Sequence, residues 1–260
     1  MCIAYLSLGA NPEWPVFIAA NRDEFHDRPA LTARPWPEAP HVIAGRDLSA
    51  GGTWLGLSHG QRWALLTNFR DPGSHRNNAA SRGGLVSGFL LGTMTPEAYM
   101  ADVHAHAGQY NGFNLIVGEG PQAWYIGNHA ACPGPVALAP GRYALSNHAL
   151  DTPWPKVERL RTQLDTLLPT NNGLPLEPVY EVLRDGVKAA DHHLPNTGLP
   201  LEMEKLLSSV FIVSPNYGTR CSTIIALNPQ GDGVFSETTY DRDGTPLERH
   251  DWPLSAAQAA

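Results

Sequence analysis

Two short apolar runs near the amino terminus constrain this chain most. Residues 3–8 (Ile-Ala-Tyr-Leu-Ser-Leu) and 16–20 (Val-Phe-Ile-Ala-Ala) are separated by Gly9-Ala10-Asn11-Pro12. Each run is too short for a stable helix and the residues between them form turns, so the pair reads as two strands of a hairpin with a loose loop. A hairpin returns the end of its second strand to the start of its first. Arg22, within Asn21-Arg22-Asp23-Glu24, is therefore expected beside Cys2, although 20 positions separate them.

The rest of the chain alternates strand-like and helix-like blocks. Residues 25–40 carry four prolines in a polar setting, which predicts an irregular covering loop, because proline fixes φ and lacks an N–H. Gly51-Gly52-Thr53-Trp54-Leu55-Gly56 and residues 62–68 read as the next two strands, the second ending on Asn68. Leu85, Val86, Phe89 and Leu90 share a helical face. Thr95-Pro96-Glu97 has the form of an N-cap, a first-turn proline and an acidic first turn. Residues 112–118, 123–127 and 142–146 read as strands, the last leading into Ser146-Asn147-His148. Asp151-Thr152-Pro153 is expected to open a helix carrying Val157, Leu160, Leu164, Leu167 and Leu168, with Pro169 ending it. A shorter helix is expected around Val179, Val182 and Leu183, and strands at 210–213, 223–227 and 234–240. Without regular βαβ alternation, the order predicts a layered α+β architecture in one domain, residues 1–260.

Composition narrows the function classes. A formal charge of −7 with no cluster of Lys and Arg speaks against nucleic acid as a partner. No apolar stretch reaches the roughly 20 residues of a membrane-spanning helix. No basic flank with a long apolar core marks a signal peptide, which leaves the cytoplasm as the expected location. Cys2, Cys132 and Cys221 are too few for a disulfide framework or a four-cysteine zinc site. Oligomeric state is not legible.

Cys2 follows Met1, and methionine excision favours a small second residue. Excision would place a thiol and a free α-amine on one residue, with ordinary pKa values of about 8.5 and about 7.7–8.0. The amine can then take the thiol proton, so nucleophile and base need no further partner. The alternative is a small buried cysteine near a chain end. Arg22, Asn68, Asn147 and Arg220 stand at the ends of expected strands. A guanidinium favours the thiolate, and a side-chain amide suits an oxyanion. Singly, each is as well explained by a turn, cap or surface ion pair.

These residues carry a resemblance. Met1-Cys2 followed by Asn21-Arg22-Asp23-Glu24 resembles the signature of the NRDE family, also called the transport and Golgi organisation protein 2 family. Gly51–Gly56, Leu66-Thr67-Asn68-Phe69-Arg70, Leu145-Ser146-Asn147 and Tyr217-Gly218-Thr219-Arg220 extend the likeness along nearly the whole chain. The family is in turn similar to N-terminal-nucleophile (Ntn) hydrolases of the choloylglycine and penicillin V acylase type, which implies an αββα four-layer sandwich. By that resemblance Cys2 is the nucleophile, Arg22 sits beside its sulfur, and Asp23 orients the α-amine. Asn68 and Asn147 furnish oxyanion or amine contacts and Arg220 completes the polar network. Asn21, Glu24, Trp54 and Arg70, in the same segments, are candidate ligand contacts. In those hydrolases the acid lies a few residues beyond the arginine, so whether Asp23 or Glu24 takes its role stays open. The implied activity is hydrolysis of an amide or related acyl bond with no required cofactor. The alternative is a binding or trafficking protein for an amphipathic small molecule, with haem as a transported ligand or acyl-CoA or lipid as cargo. Arg22 or Arg220 would then meet the ligand's carboxylate or phosphate.

Other motifs have plainer readings. Cys132-Pro133 is a dipeptide found in haem-responsive proteins, but Gly134-Pro135 follow at once, as in a turn. His104, His106, His192 and His193 lack the companion spacing of a zinc site. Gly83-Gly84 precedes a helix, where anions bind, but no phosphate-loop Lys-Ser/Thr follows. Trp14, Trp36, Trp54 and Trp63 are candidates for an apolar site wall, with Trp54 and Trp63 equally suited to a core.

Overall fold

The computed structural model describes residues 2–168 and 173–255. In chain order the described elements begin with strands β1 (Cys2–Leu8), β2 (Val16–Phe25), β3 (Ala30–Trp36), β4 (Ala39–Asp47), β5 (Leu55–Ser58) and β6 (Arg62–Asn68). Helices α1 (Gly83–Leu91) and α2 (Pro96–His106) follow, then β7 (Phe113–Glu119), β8 (Gln122–Gly127), β9 (Val136–Leu138) and β10 (Gly141–Leu145). Helices α3 (Pro155–Leu167), α4 (Leu176–Leu183) and α5 (Leu201–Leu206) lead to β11 (Tyr217–Leu227), β12 (Gly233–Tyr240) and β13 (Pro246–Leu254).

The strands form two antiparallel sheets, ordered β10-β1-β2-β11-β12-β13 and β3-β4-β5-β6-β7-β8-β9. Helices α1 and α2 pack on the second sheet, and α3 and α4 on the first. The sheets face each other, giving the expected αββα sandwich. Alternation along β1 and β2 shows why. Ala4, Leu6, Leu8, Val16, Ile18 and Ala20 join the core between the sheets, together with Trp63 and Leu65. Ile3, Tyr5, Phe17 and Ala19 point the other way, onto Val157, Leu160, Leu164 and Val179 of the outer helices. Strands buried on both faces show no polar alternation, so they appear in sequence as continuous apolar runs.

Several local expectations are corrected. Residues 25–40 do not form a loop: β3 and β4 make an irregular hairpin with register shifts after Leu31 and Pro35. β3 is the edge of its sheet, where proline costs no ladder hydrogen bond. Residues 51–54 precede β5 rather than extend it. Residues 210–213 form no strand: Val210, Phe211 and Ile212 are apolar because they are buried, Val213 is exposed, and Ile212 N donates to the Thr219 side chain Oγ1 at 2.9 Å. Helix α3 begins at Pro155, because Asp151 adopts φ 59° and its carboxylate accepts from Ala144 N. Its expected stop at Pro169, and the expected frayed tail at 256–260, lie outside the described residues. α5, β9 and the half-exposed edge strand β13 carry too little apolar periodicity to be foreseen.

Candidate active site

The β1–β2 ladder sets Cys2 opposite Arg22, and β11 places Cys221 on the far side of the same arginine. Because facing alternates along a strand, Cys2 and Arg22 look toward the second sheet while Asn21 and Asp23 look toward the helical layer. Cys2, Arg22, Asp23, Glu24, Trp54 and Asn68 line one cleft of about 400 Å³. Arg28, Asp47, Ser81, Arg82 and Gly83 complete much of its wall.

Cys2 is 9% exposed. Burial pushes its thiol up; the Asp23 carboxylate adds to that, while a hydrogen bond from the Asp23 backbone N–H to the sulfur and the Arg22 guanidinium pull the other way. Arg22 is held by its surroundings, 4.1 Å over the Trp54 ring and 3.8 Å from Asp47. Asp23 is buried and accepts from Thr219 Oγ1 at 2.7 Å. Burial raises its carboxyl, opposed by the charge of Lys156.

Asn68 stands at the end of β6 with its side chain on the cleft. Asn147 does not reach the cleft: its Nδ2 donates to Asn68 O at 3.0 Å, and its own O accepts from Arg70 N at 2.7 Å. Beside it, Ser146 Oγ donates to Cys2 O at 3.1 Å, and Thr67 Oγ1 donates to Ser146 O at 2.6 Å. The Ser146-Asn147 pair thus straps the end of β1 to the end of β6 and fixes Asn68 relative to Cys2.

Three predicted residues turn elsewhere. Asn21 spends its amide on the carbonyls of Leu183 and Val210, at 2.7 and 2.9 Å, and accepts from Ser222. Arg70 is buried against Glu204 at 2.7 Å and over Trp154 at 4.7 Å. Arg220 donates to the carbonyls of Phe25 and Arg28 and lines a neighbouring cavity with Cys221 and Glu237. Of the tryptophans, Trp36 and Trp63 are core and Trp14 packs on the helical core, so only Trp54 reaches the cleft. The Cys132 thiol is capped, accepting from Gly127 N and donating to Gly134 O, as a turn requires.

Sequence reasoning missed Arg28, Asp47, Arg82 and Lys156. The first three lack any local signature. Lys156 had one: it lies one helical turn before Leu160 and two before Leu164, a charge placed on the buried stripe of α3. Its Nζ is buried with no hydrogen-bond partner among the described residues. Burial first, then Arg70, pushes this amine down to about 8, against the pull of Asp23, Cys2 and Glu204. A base depressed in the fold costs stability while both states hold the proton, below about 8. That cost is lost as pH rises to its ordinary value of about 10.4. Lys156→Met removes this term. The unfolding free energy of wild type relative to the variant is expected to rise by about 2 kcal/mol between pH 8 and pH 10.5. Urea denaturation at the two pH values checks this, and a pH-independent difference contradicts it.

One glycine sets the cleft's shape. A Cβ on Gly52 would lie 2.3 Å from the Gly83 carbonyl carbon, so only glycine lets the segment before β5 touch the start of α1. Gly52→Ala is expected to cost about 1–3 kcal/mol in urea unfolding, because backbone cannot yield as a flexible side chain does.

A model of the family described as "Transport and Golgi organisation 2" matches residues 1–242. The chain belongs to this family. Similar curated members include the transport and Golgi organization protein 2 homolog of Bos taurus, 35% identical over 91% of this chain and 92% of that one. The Homo sapiens homolog is 32% identical over 94% and 95%. Drosophila melanogaster transport and Golgi organization protein 2 is 24% identical over 96% and 94%. Among solved structures, the chain is similar to the Caenorhabditis elegans N-acylethanolamine-hydrolyzing acid amidase ortholog, with TM-score 0.48 and 12% identity over 86% of this chain and 92% of that one. It is also similar to the C2A mutant of conjugated bile acid hydrolase from Clostridium perfringens, with TM-score 0.44 and 8% identity over 98% of each chain. At these scores and identities neither likeness bears on activity. For this transport and Golgi organisation 2 family member, the site's chemistry rests on its own geometry. A thiol stands beside a cation and a backbone N–H, with a side-chain amide held across the cleft. No described helix is long and apolar enough to cross a membrane.

Proposed function

We propose that the chain hydrolyses an amide or related acyl bond, with Cys2 as nucleophile once Met1 is removed. The observation that carries this reading is the cross-strand placement of Cys2 against Arg22, with the Asp23 N–H on its sulfur at the wall of the cleft. Arg22 and the amide stabilise the thiolate, and the α-amine released at Cys2 takes its proton. The sulfur attacks the acyl carbon, a C–S bond forms, and the oxyanion is held by the Asn68 side-chain amide. The ammonium returns the proton to the leaving nitrogen as the C–N bond breaks. Water, deprotonated by the same amine, then attacks the thioester, the C–S bond breaks, and the carboxylic acid leaves with the thiol restored. Asp23, anchored by Thr219 and favoured toward its ionised form by the charge of Lys156, is the residue suited to orient that amine. Glu24 lines the cleft 3.9 Å from Arg28 and serves the wall instead.

A carrier of haem or lipid would need a broad apolar wall, whereas ten of the 21 residues lining this cleft are Arg, Asn, Asp or Glu and its large apolar ones are Trp54 and Leu66. A thiol-directed acyl probe separates the two: hydrolase chemistry requires labelling at Cys2 that Cys2→Ala abolishes. Equal labelling of the variant, or saturable hemin binding with no acyl adduct, would sink the hydrolase reading.

A further inference from the structure

Two arginines of the cleft hold donors that the described residues leave unused. Arg22 is 5% exposed, yet its guanidinium makes no hydrogen bond to another described residue. Its nearest carboxylate oxygen, Asp47 Oδ2 at 3.8 Å, already accepts from Arg28 Nε at 2.7 Å. Arg82 makes one hydrogen bond among the described residues, from Nη1 to Gly112 O at 3.0 Å, and is half-buried in the same cleft. The other cleft cations are occupied: Arg28 by Asp47 and, at 3.9 Å, by Glu24, and Arg76 by the carbonyls of Gly108 and Tyr110. A desolvated guanidinium with open donors is costly unless an anion meets it, and its planar fork matches a carboxylate or phosphate.

A third element points the same way. Helix α1 runs from Gly83 to Leu91, and its cap residue is Arg82 itself, with no side-chain cap hydrogen bond. Ser81, Arg82 and Gly83 line the cleft, so the helix opens on it with the positive end of its dipole.

We propose that Arg22, Arg82 and the amino end of α1 form an anion subsite in the cleft that holds Cys2. It takes a carboxylate or phosphate carried by the compound whose acyl bond meets that thiol. The substrate class is then an anionic acyl compound. This assignment of class rests on the hydrolase reading, whereas anion binding stands on the cleft alone.

Calorimetric titration of the full chain with inorganic phosphate, and separately with succinate, tests it. Saturable binding of at least one is expected, at least tenfold weaker in Arg82→Gln, and the tighter anion identifies the group. Absence of saturable binding by both, or binding unchanged in Arg82→Gln, overturns the subsite. Should the variant not fold, the wild type still decides: the bound anion is expected to slow iodoacetamide alkylation of Cys2, and an unchanged rate overturns the proposal. Anion binding without any acyl adduct at Cys2 would reject the hydrolase reading and leave the subsite standing. An acyl adduct without anion binding would do the reverse.

Discussion

Arg70→Met is expected to lower the unfolding free energy by about 3–5 kcal/mol. The Arg70 and Glu204 side chains are 4% and 3% exposed and meet at 2.7 Å, while the other Glu204 oxygen accepts from Thr197 N and Oγ1. Removing the guanidinium strands a carboxylate in the interior, which costs far more than an intact pair contributes. It also removes the cation stacked on Trp154, at the cap of the helix that carries Lys156. Replacing both partners, as Arg70→Met with Glu204→Gln, is expected to recover a large part of the loss, because neither position is then left with a buried charge lacking its partner. Urea denaturation of the two variants measures both effects. A loss below about 1 kcal/mol for the single variant would show that Glu204 finds solvent when its partner leaves.

Asn68→Ala carries the largest expected effect on chemistry. If the Asn68 amide receives the oxyanion, its removal is expected to lower kcat by about 10²–10³ with KM little changed, because the bond is made in the transition state. The backbone around it stays strapped: the Asn68 carbonyl accepts from Asn147 whatever the side chain. Asn147→Ala acts differently. It removes the brace and not the donor, and is expected to reduce turnover together with stability. Single-turnover acylation rates separate the two variants. Equal rates in Asn68→Ala and wild type would remove Asn68 from the oxyanion role.

What the sequence showed depended on how far each residue's neighbours lay along the chain. The β1–β2 pair was legible because both faces are buried and the turn lies between the runs, so Cys2 beside Arg22 followed from local pattern alone. The β3–β4 hairpin was not, because its prolines mark a loop except at a sheet edge, and only the sheet order reveals that edge. Val210, Phe211 and Ile212 mimic a strand because burial and pairing leave the same apolar trace.

In the site, family likeness drew attention to segments, and side-chain direction decided which of their residues meet. Asn21 and Asp23 flank Arg22 yet face the opposite layer, and Asn21 is consumed by the carbonyls of Leu183 and Val210. Arg220 stands near Arg22 but opens on the neighbouring cavity. Arg82 and Asp47 enter the cleft from separate elements, with no pattern in the sequence to join them. Lys156 alone broke a rule visible beforehand, a charge where the stripe of α3 calls for an apolar residue.

Intact-mass analysis of protein exposed to an acyl probe, followed by peptide mapping, tests the central claim most directly. The account predicts a chain lacking Met1 with one acyl group, carried on the Cys2 sulfur. Retention of Met1 in protein from its native host, or an acyl group on any other residue with Cys2 unmodified, would contradict it.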